Sequence, residues 1–352
     1  MSRFIQLHLL TNYPPSNLNR DDTGRPKSAL VGDATRLRVS SQSQKRAWRT
    51  SDAFETALAG HIGTRTKMIG KEVFAALKEA GVAEKVAREW AKAIAACFGK
   101  AKSDKKTEKD EDLEIEQLAH ISPEERAAVD ALVKLCAERG SEPAKEELLL
   151  LRKPQQAVDI AMFGRMLAGS PKFNMEAAVQ VSHAITVHKS TVEDDYFSAI
   201  DDLNRDASNA SHIDERGYGA GLFYLYLCIN RELLKENLGG DEALTGKALE
   251  ALIHAVTKVS PTGMQNSFAS RAYASYVMAE KGDQQPRSLV QAFLKPIKPF
   301  EDEDMLEKAV KAIEKRRDNF DTVYGACADA RYTLNVDAGE GRLSDLVTFV
   351  QE

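Results

Sequence analysis

Residues Phe4–Leu10 alternate strictly. Ile5, Leu7 and Leu9 fall on one face, Gln6 and His8 on the other. A period of two predicts a β-strand with one buried face. A stretch rich in turn formers follows, with Asn12, Pro14, Pro15, Asn17 and Asn19. Arg36–Ser40 alternates again, Leu37 and Val39 opposite the arginines. Ser41 or Ser43 then offers a cap for a helix reaching Leu58, whose apolar stripe is Ala47, Phe54 and Leu58. From His61 to Lys153 the period becomes helical: Met68–Ala80 and Val82–Phe98 are amphipathic. Ser122-Pro123-Glu124-Glu125 combines a serine cap, a first-turn proline and a capping-box glutamate. Between them Lys100–Asp112 is a charged low-complexity loop. Alternation returns over Val179–Val187 and Leu222–Ile229. A helix is predicted over Gly240–Val259, a strand over Arg271–Ala279, a helix over Asp302–Arg317 and a short strand at the C-terminus.

Without its insertions the order is strand, helix, strand, strand, helix, strand. That predicts an α+β chain with a ferredoxin-like (RRM-like) arrangement. Residues 1–60 and 154–352 form this discontinuous domain, 61–153 a helical insertion, and the polar, acidic stretch 190–221 a protruding arm. The aromatic signature of RRM sheets is missing, so bases are not expected to stack on the sheet. Gly217-Tyr218-Gly219-Ala220-Gly221 precedes a strand instead of opening a helix. It therefore fails as a nucleotide loop and reads as a hinge where the arm rejoins the sheet.

Charge sharpens the reading. The 352 residues carry a net charge of -5, which gives no bulk attraction to nucleic acid. Yet Met1–Thr50 holds nine Lys and Arg against three Asp, a local +6 that leaves -11 for the remainder. Within it, Arg36–Arg49 (RLRVSSQSQKRAWR) has five cations and no acid. Gln42, Lys45, Arg46 and Arg49 share one helix face, in what this reading takes as the first turns. Unpaired backbone N–H groups and the helix dipole favour an anion there, and Arg38 and Ser40 lead into the same end. No glycine-rich turn precedes the helix, so a chain of successive phosphates fits better than one polyphosphate. The alternative is a solvated cationic face, and the lack of compensating acids weighs against it.

Other chemistries find little footing. Cys97, Cys136, Cys228 and Cys327 are scattered, which predicts reduced buried thiols and a cytoplasmic protein. No apolar run approaches a membrane span. His183 and His188 alternate to opposite faces outside any metal motif. Asp194-Asp195 and Asp201-Asp202 read as acidic arm surface before they read as magnesium ligands. No cofactor motif is present, and no catalytic or metal residues are assigned.

The blocks FIQLHLL, SNLNRDD and RLRVSSQSQKRAWR, then QQAVDIAMFGRM, SHAITVHKSTVEDDYFSAIDDL and GLFYLYLCINRELLKENLGG, resemble in sequence and order the CasC family. That family is the repeated backbone subunit of the type I-E CRISPR Cascade surveillance complex. The resemblance covers Met1–Arg49 and Pro154–Gly240, and the rest by layout. It implies a palm, helical fingers and a thumb in a non-catalytic subunit. Copies would stack head to tail on a CRISPR guide RNA and kink it at intervals, leaving segments free to pair with target DNA. Other Cascade subunits and a recruited nuclease-helicase would act beside it. Arg20, Lys27, Ser40, Gln42, Lys45, Arg46 and Arg49 would touch the guide backbone, with Arg38 beside them. Met166 would pack at the kinked nucleotide, with Phe197 and Ile213 as thumb wedges. Backbone contacts are sequence-independent, as any-guide binding requires, and apolar side chains at an unstacked step hold a kink. Lys134, Lys145, Arg152 and Lys153 are candidates to touch DNA. Two other readings stay open: a backbone subunit like those of type III complexes that cleaves target RNA with Asp33, and an RNA chaperone working alone.

Overall fold

A computed structural model describes residues 2–102, 110–199, 212–298 and 304–352. Most of the charged loop, the tip of the arm and Asp201-Asp202 lie outside the described residues. In chain order the strands are β1 (Phe4–Ser16), β2 (Ser28–Val31), β3 (Ala34–Val39), β4 (Thr64–Thr66), β5 (Ala119–Ile121), β6 (Val179–Val181), β7 (Ala184–Thr186), β8 (Glu193–Ala199), β9 (His212–Asn230), β10 (Tyr276–Gly282) and β11 (Ala330–Asn335). The helices are α1 (Ser41–Arg49), α2 (Asp52–Ala57), α3 (Ile69–Glu79), α4 (Glu84–Ala95), α5 (Pro123–Arg139), α6 (Val158–Phe163), α7 (Arg231–Asn237), α8 (Glu242–Lys258), α9 (Gln265–Phe268), α10 (Met305–Tyr324) and α11 (Leu343–Gln351). They build two compact units. A sheet unit comprises Met1–Ala57, Gln180–Arg231 and Leu249–Glu352; a helical unit comprises Leu58–Val179 and Glu232–Ala248.

The sheet is antiparallel, in the order β11-β10-β1-β9-β7-β3-β2. Its central strand β1 differs from the expected half-buried strand, because both of its faces are covered. Ile5, Leu7 and Leu9 are buried on one, Gln6, His8 and Leu10 on the other. The polar pair survives burial because the Gln6 carbonyl oxygen and both His8 ring nitrogens find partners. Tyr226 and the Arg287 backbone N–H donate to Gln6 Oε1 at 2.9 and 2.8 Å. His8 Nδ1 meets the Tyr224 hydroxyl at 2.8 Å and its Nε2 meets Glu280 at 3.2 Å. Arg287 and Arg331 close the seam on Glu280. Burial alone would push the Glu280 carboxyl up. The bonds from His8 and Arg287 outweigh it and hold the group well below the usual carboxylate range. Leu10, Tyr224, Met278 and Phe293 continue this layer under Ala309 and Ile313 of α10.

The long strand β9 changes partners midway. From Gly219 to Asn230 it pairs with β1, and from His212 to Tyr218 it pairs with β8 alone. Seven residue pairs therefore leave the sheet as a two-stranded ribbon, about 20 Å of extended chain. The glycines at the junction are not a hinge. The chain runs through them as continuous strand with no positive φ. They admit close neighbours: a Cβ on Gly219 would meet Leu37 at 2.7 Å and one on Gly221 would meet His188 at 2.6 Å.

The helical unit is larger than the expected 61–153 insertion, since residues 154–179 and Glu232–Ala248 belong with it. Hydrogen bonds explain the extension. Val158 N–H donates to His61 O at 2.8 Å, and the buried Asp159 accepts from Gly63 N at 2.9 Å while meeting His120 Nε2 at 2.8 Å. Its core packs Leu77 of α3, Trp90 and Ile94 of α4 and Leu132 of α5. The capping box at Ser122 forms as expected, and Glu125 does more than cap. Besides Ser122 N at 3.0 Å, it accepts from Arg152 N at 2.8 Å and from the buried Arg165 guanidinium at 2.7 Å.

Of the four thiols, Cys136 and Cys228 are buried, while Cys97 and Cys327 are only half-buried; none is paired. No helix among the described residues is long and apolar enough to cross a membrane.

Candidate nucleic-acid interface

The basic segment folds into β3, a cap and a short helix. Ser40 is the N-cap of α1, and its hydroxyl accepts from Ser43 N at 3.2 Å. Ser40 is buried and keeps its own proton to donate. Asn19 holds the cap in place by accepting from Ser40 N at 2.9 Å. The turn segment is stitched to the strand: Lys27 N donates to Asn19 O and Arg38 N to Lys27 O, both at 2.8 Å. Arg20, Lys27, Arg38 and the helix start are thereby brought to one surface of the sheet unit. Ser41, Gln44, Ala47 and Trp48 bury the opposite side of α1, while Gln42 and Arg46 are exposed and Lys45 and Arg49 half-exposed.

Two expectations are corrected here. The helix ends at Arg49, so Arg46 and Arg49 occupy its last turn, not its first. Ser51 breaks the run by donating to Trp48 O at 2.8 Å and accepting from Phe54 N at 3.3 Å, which starts α2. The helix N-terminus therefore assists an anion only near Gln42. Arg46 and Arg49 are instead cations at the C-terminal end, where the helix dipole favours them. The second correction is Arg36, which is not part of the cationic surface. It is 0% exposed and donates to Thr186 O and Phe293 O at 2.9 and 2.8 Å.

His183 joins the cluster in its place. Arg38 Nη1 lies 2.9 Å from its Nδ1. A guanidinium can only donate, so Nδ1 must be the unprotonated nitrogen. Burial first, then the charges of Arg38, Lys27 and Lys45, hold the imidazole below its ordinary value. By spacing alone His183 is only a strand residue. Its position follows from the β3–β7 register, in which Arg38 pairs with Ile185.

Arg20 stands between two open clefts. A groove of about 360 Å³ is lined by Arg20, Ser43, Arg46, Thr50 and Asn19. A cleft of about 610 Å³ lies between the turn segment and the root of the arm, lined by Asn17, Arg20, Arg25, Asp194, Glu215 and Arg216 among others. Asp21 does not neutralise Arg20 through its Oδ1, which accepts from Thr23 N, Thr23 Oγ1 and Arg25 N at 2.9, 2.7 and 3.0 Å. These bonds, Thr23's hydroxyl first, lower its carboxyl below the ordinary value. Arg25 instead reaches Asp194 of the arm at 2.8 Å.

The candidate wedge residues fall in different places. Phe197 and Ile213 sit on opposite faces of the ribbon, because Phe197 pairs with Asp214 and Ile213 with Ser198. Arg216 covers the Phe197 ring, its guanidinium carbon 4.4 Å from the centroid. Ile213 is 55% exposed and shares its face with Tyr196, also exposed. Met166 belongs to the helical unit and is 81% exposed, so it is not core. Its neighbours are fixed: Arg165 and Met175 exchange backbone bonds at 3.0 and 2.9 Å, and Leu167 N donates to Asn174 at 2.7 Å. Lys134, Lys145, Arg152 and Lys153 are exposed on the same unit. Asp33 lies in the two-residue turn between β2 and β3, where Val31 pairs with Ala34. All of β3 separates it from Ser40, about 20 Å.

Known proteins match this architecture over nearly the whole chain. Two solved structures are similar. One, described as a CRISPR RNA-guided surveillance complex, pre-nicking, contains a chain 26% identical, with 99% of this chain and 100% of that chain covered and a TM-score of 0.85. Another, described as a CRISPR RNA-guided surveillance complex, contains a chain 25% identical, with 97% and 94% covered and a TM-score of 0.71. No match was found among curated protein sequences. The model of the CT1975-like protein family matches residues 5–348, and the chain belongs to that family of Cas proteins.

Proposed function

We propose that this chain is the repeated, guide-RNA-binding backbone subunit of a type I-E CRISPR surveillance complex in the cytoplasm. The observation that carries the proposal is the convergence of Arg20, Lys27, Arg38, Lys45 and Arg46 with the Ser40 cap on one surface of an otherwise acidic chain. Such a surface contacts phosphates and carries no base code. The family match and the similarity to chains of surveillance complexes support the same reading.

In this proposal β10-β1-β9-β7 is a ferredoxin-like palm, the helical unit the fingers and the β8–β9 ribbon the thumb. The palm grips the guide backbone. Phe197 under Arg216, Ile213 with Tyr196, and Met166 supply apolar surfaces at the kinks. Copies stack head to tail, target DNA is met by guide pairing, and other subunits and a recruited nuclease-helicase complete antiviral defence.

The test is native mass spectrometry on guide RNAs of graded length. Copies should add in whole-number steps as the RNA lengthens. One copy per RNA at every length would replace this reading with a solitary RNA chaperone. The subunit is proposed to act without catalysis. Complementary target RNA with guide and magnesium should stay intact, and cleavage lost in Asp33→Ala would make it a nuclease.

A further inference from the structure

We propose that Asn17 is a positioning residue for the guide contact. It ties the turn segment that carries Arg20 to the root of the arm, and so holds the Arg20 guanidinium at the groove. The inference rests on the RNA-binding reading above and adds a side chain that touches no RNA itself. Asn17 is buried. Its Nδ2 carries two hydrogens and uses both, donating to Gly24 O at 3.0 Å and to Gly217 O at 2.9 Å. Turned round, the amide would set its oxygen against two carbonyls, so the orientation is fixed. The first bond closes the turn segment on itself. The second crosses to β9 at the point where the ribbon leaves the sheet.

Within that turn segment the backbone of Arg20 is held on both sides. Asp21 N donates to Arg25 O at 2.9 Å and Lys27 N to Asn19 O at 2.8 Å, while Arg20 and Pro26 form an antiparallel bridge. The segment therefore moves as one piece, and its attachments decide where it sits. Asn19 fastens one side to the α1 cap at Ser40 N. Asn17 fastens the other to the arm root. Arg20 lies between them, exposed, and lines both the groove and the cleft. A long guanidinium side chain is preorganised for a phosphate only when its backbone is fixed. The Arg25–Asp194 ion pair spans the same junction, but both side chains are half-exposed, and such pairs contribute little. The buried amide is the stronger tie. The junction is also close-packed: a Cβ on Gly217 would stand 3.1 Å from Pro26 Cδ and 3.2 Å from Val192 Cγ1, and Pro26 is the bridge partner of Arg20.

The experiment is a double-mutant cycle on guide-RNA affinity between about 0.1 and 0.4 M salt. It compares wild type, Asn17→Ala, Arg20→Ala and the pair, each checked by thermal melting. Arg20→Ala should weaken binding about fivefold per copy at 0.1 M, one phosphate contact, and make the log–log salt slope shallower by about 0.7. Asn17→Ala removes no charge, yet should lose about three- to fivefold and flatten the slope in the same sense. In the Arg20→Ala background it should cost nothing further, to within about twofold. A side chain that merely supports the fold would leave the slope alone and add its loss in both backgrounds. Gly217→Val, an uncharged wedge against Pro26, repeats the cycle from the other side of the junction and decides it should Asn17→Ala not fold. If Arg20→Ala leaves affinity and slope unchanged, the phosphate reading of this surface fails. If Arg20→Ala weakens binding as expected but Asn17→Ala matches wild type, or adds its full loss on top of Arg20→Ala, only the positioning assignment fails.

Discussion

Arg20 and Arg46 line the groove of about 360 Å³ from two chain segments, and both are exposed. The double substitution Arg20→Ala/Arg46→Ala removes two cations without opening the core. Its melting temperature should therefore stay within about 2 °C of wild type. Two lost single-strand phosphate contacts make the log–log salt slope shallower by about 1.4. Two charges at roughly 4 Å from phosphate in high dielectric contribute about 2 kcal/mol together, near thirtyfold in Kd at 0.1 M salt. The slope difference means that a fourfold rise in salt shrinks this gap by about sevenfold, leaving a loss of about fourfold at 0.4 M. Fluorescence anisotropy of an end-labelled guide across that salt range gives both quantities. A thirtyfold loss with an unchanged slope would show that the arginines act through shape. An unchanged affinity and slope would show that this surface meets no phosphate, and the reasoning fails.

Glu125→Ala should lower the stability of the helical unit by about 3–5 kcal/mol in a urea titration, because the buried Arg165 guanidinium loses its carboxylate and keeps only carbonyl partners, while the Ser122 and Arg152 backbone N–H groups lose their acceptor. Gly32→Ala should cost at least about 2 kcal/mol. Its φ is 64° and its Cβ would lie 2.3 Å from Leu294 O, so left-handed strain and a backbone clash add; thermal melts check it. His183 should titrate below 6.5 by NMR in the free protein. Since the folded state then binds fewer protons than the unfolded one, its share of stability is complete above pH 6.5 and falls as pH drops through that value. Added RNA screens Arg38, Lys27 and Lys45 and should move the imidazole back upward, with proton uptake near pH 6 seen as a buffer-dependent binding heat. Met166→Ala, at an exposed position, should leave melting unchanged while relaxing the guide, read as altered chemical probing at kinked nucleotides.

The sequence displays what is decided locally. The alternation of β1, the periods of α3 and α4 and the Ser122 capping box all read through, because neighbours a few residues apart determine them. What stayed hidden depends on distant partners. Arg36 looks like its neighbour Arg38, and only carbonyls of Thr186 and Phe293 make it a core residue. Asn17 looks like a turn former until Gly217 meets its amide. The predicted strand over Arg271–Ala279 begins instead at Tyr276, where pairing with Leu10 starts. The terminal helix α11 stands beyond the elements its pattern predicts, with Leu346, Val347 and Val350 on its buried side. It is short and rich in β-branched residues, so its pattern is ambiguous with a strand. On the candidate site, the identity of the cations was legible but not their division between groove, cleft and core.

The uninterrupted course of β9 has a mechanical consequence. The strand is anchored between β1 and β7 and continues into the ribbon without a flexible joint. The arm is thus a cantilever clamped in the sheet: bending it at the root strains the ladder that also carries Leu225, Leu227 and Ile229 of the core. A load on the ribbon is resisted elastically and relayed into the middle of the sheet. Amide exchange should fade gradually along β9 toward the tip, with no abrupt step at Gly217–Gly221.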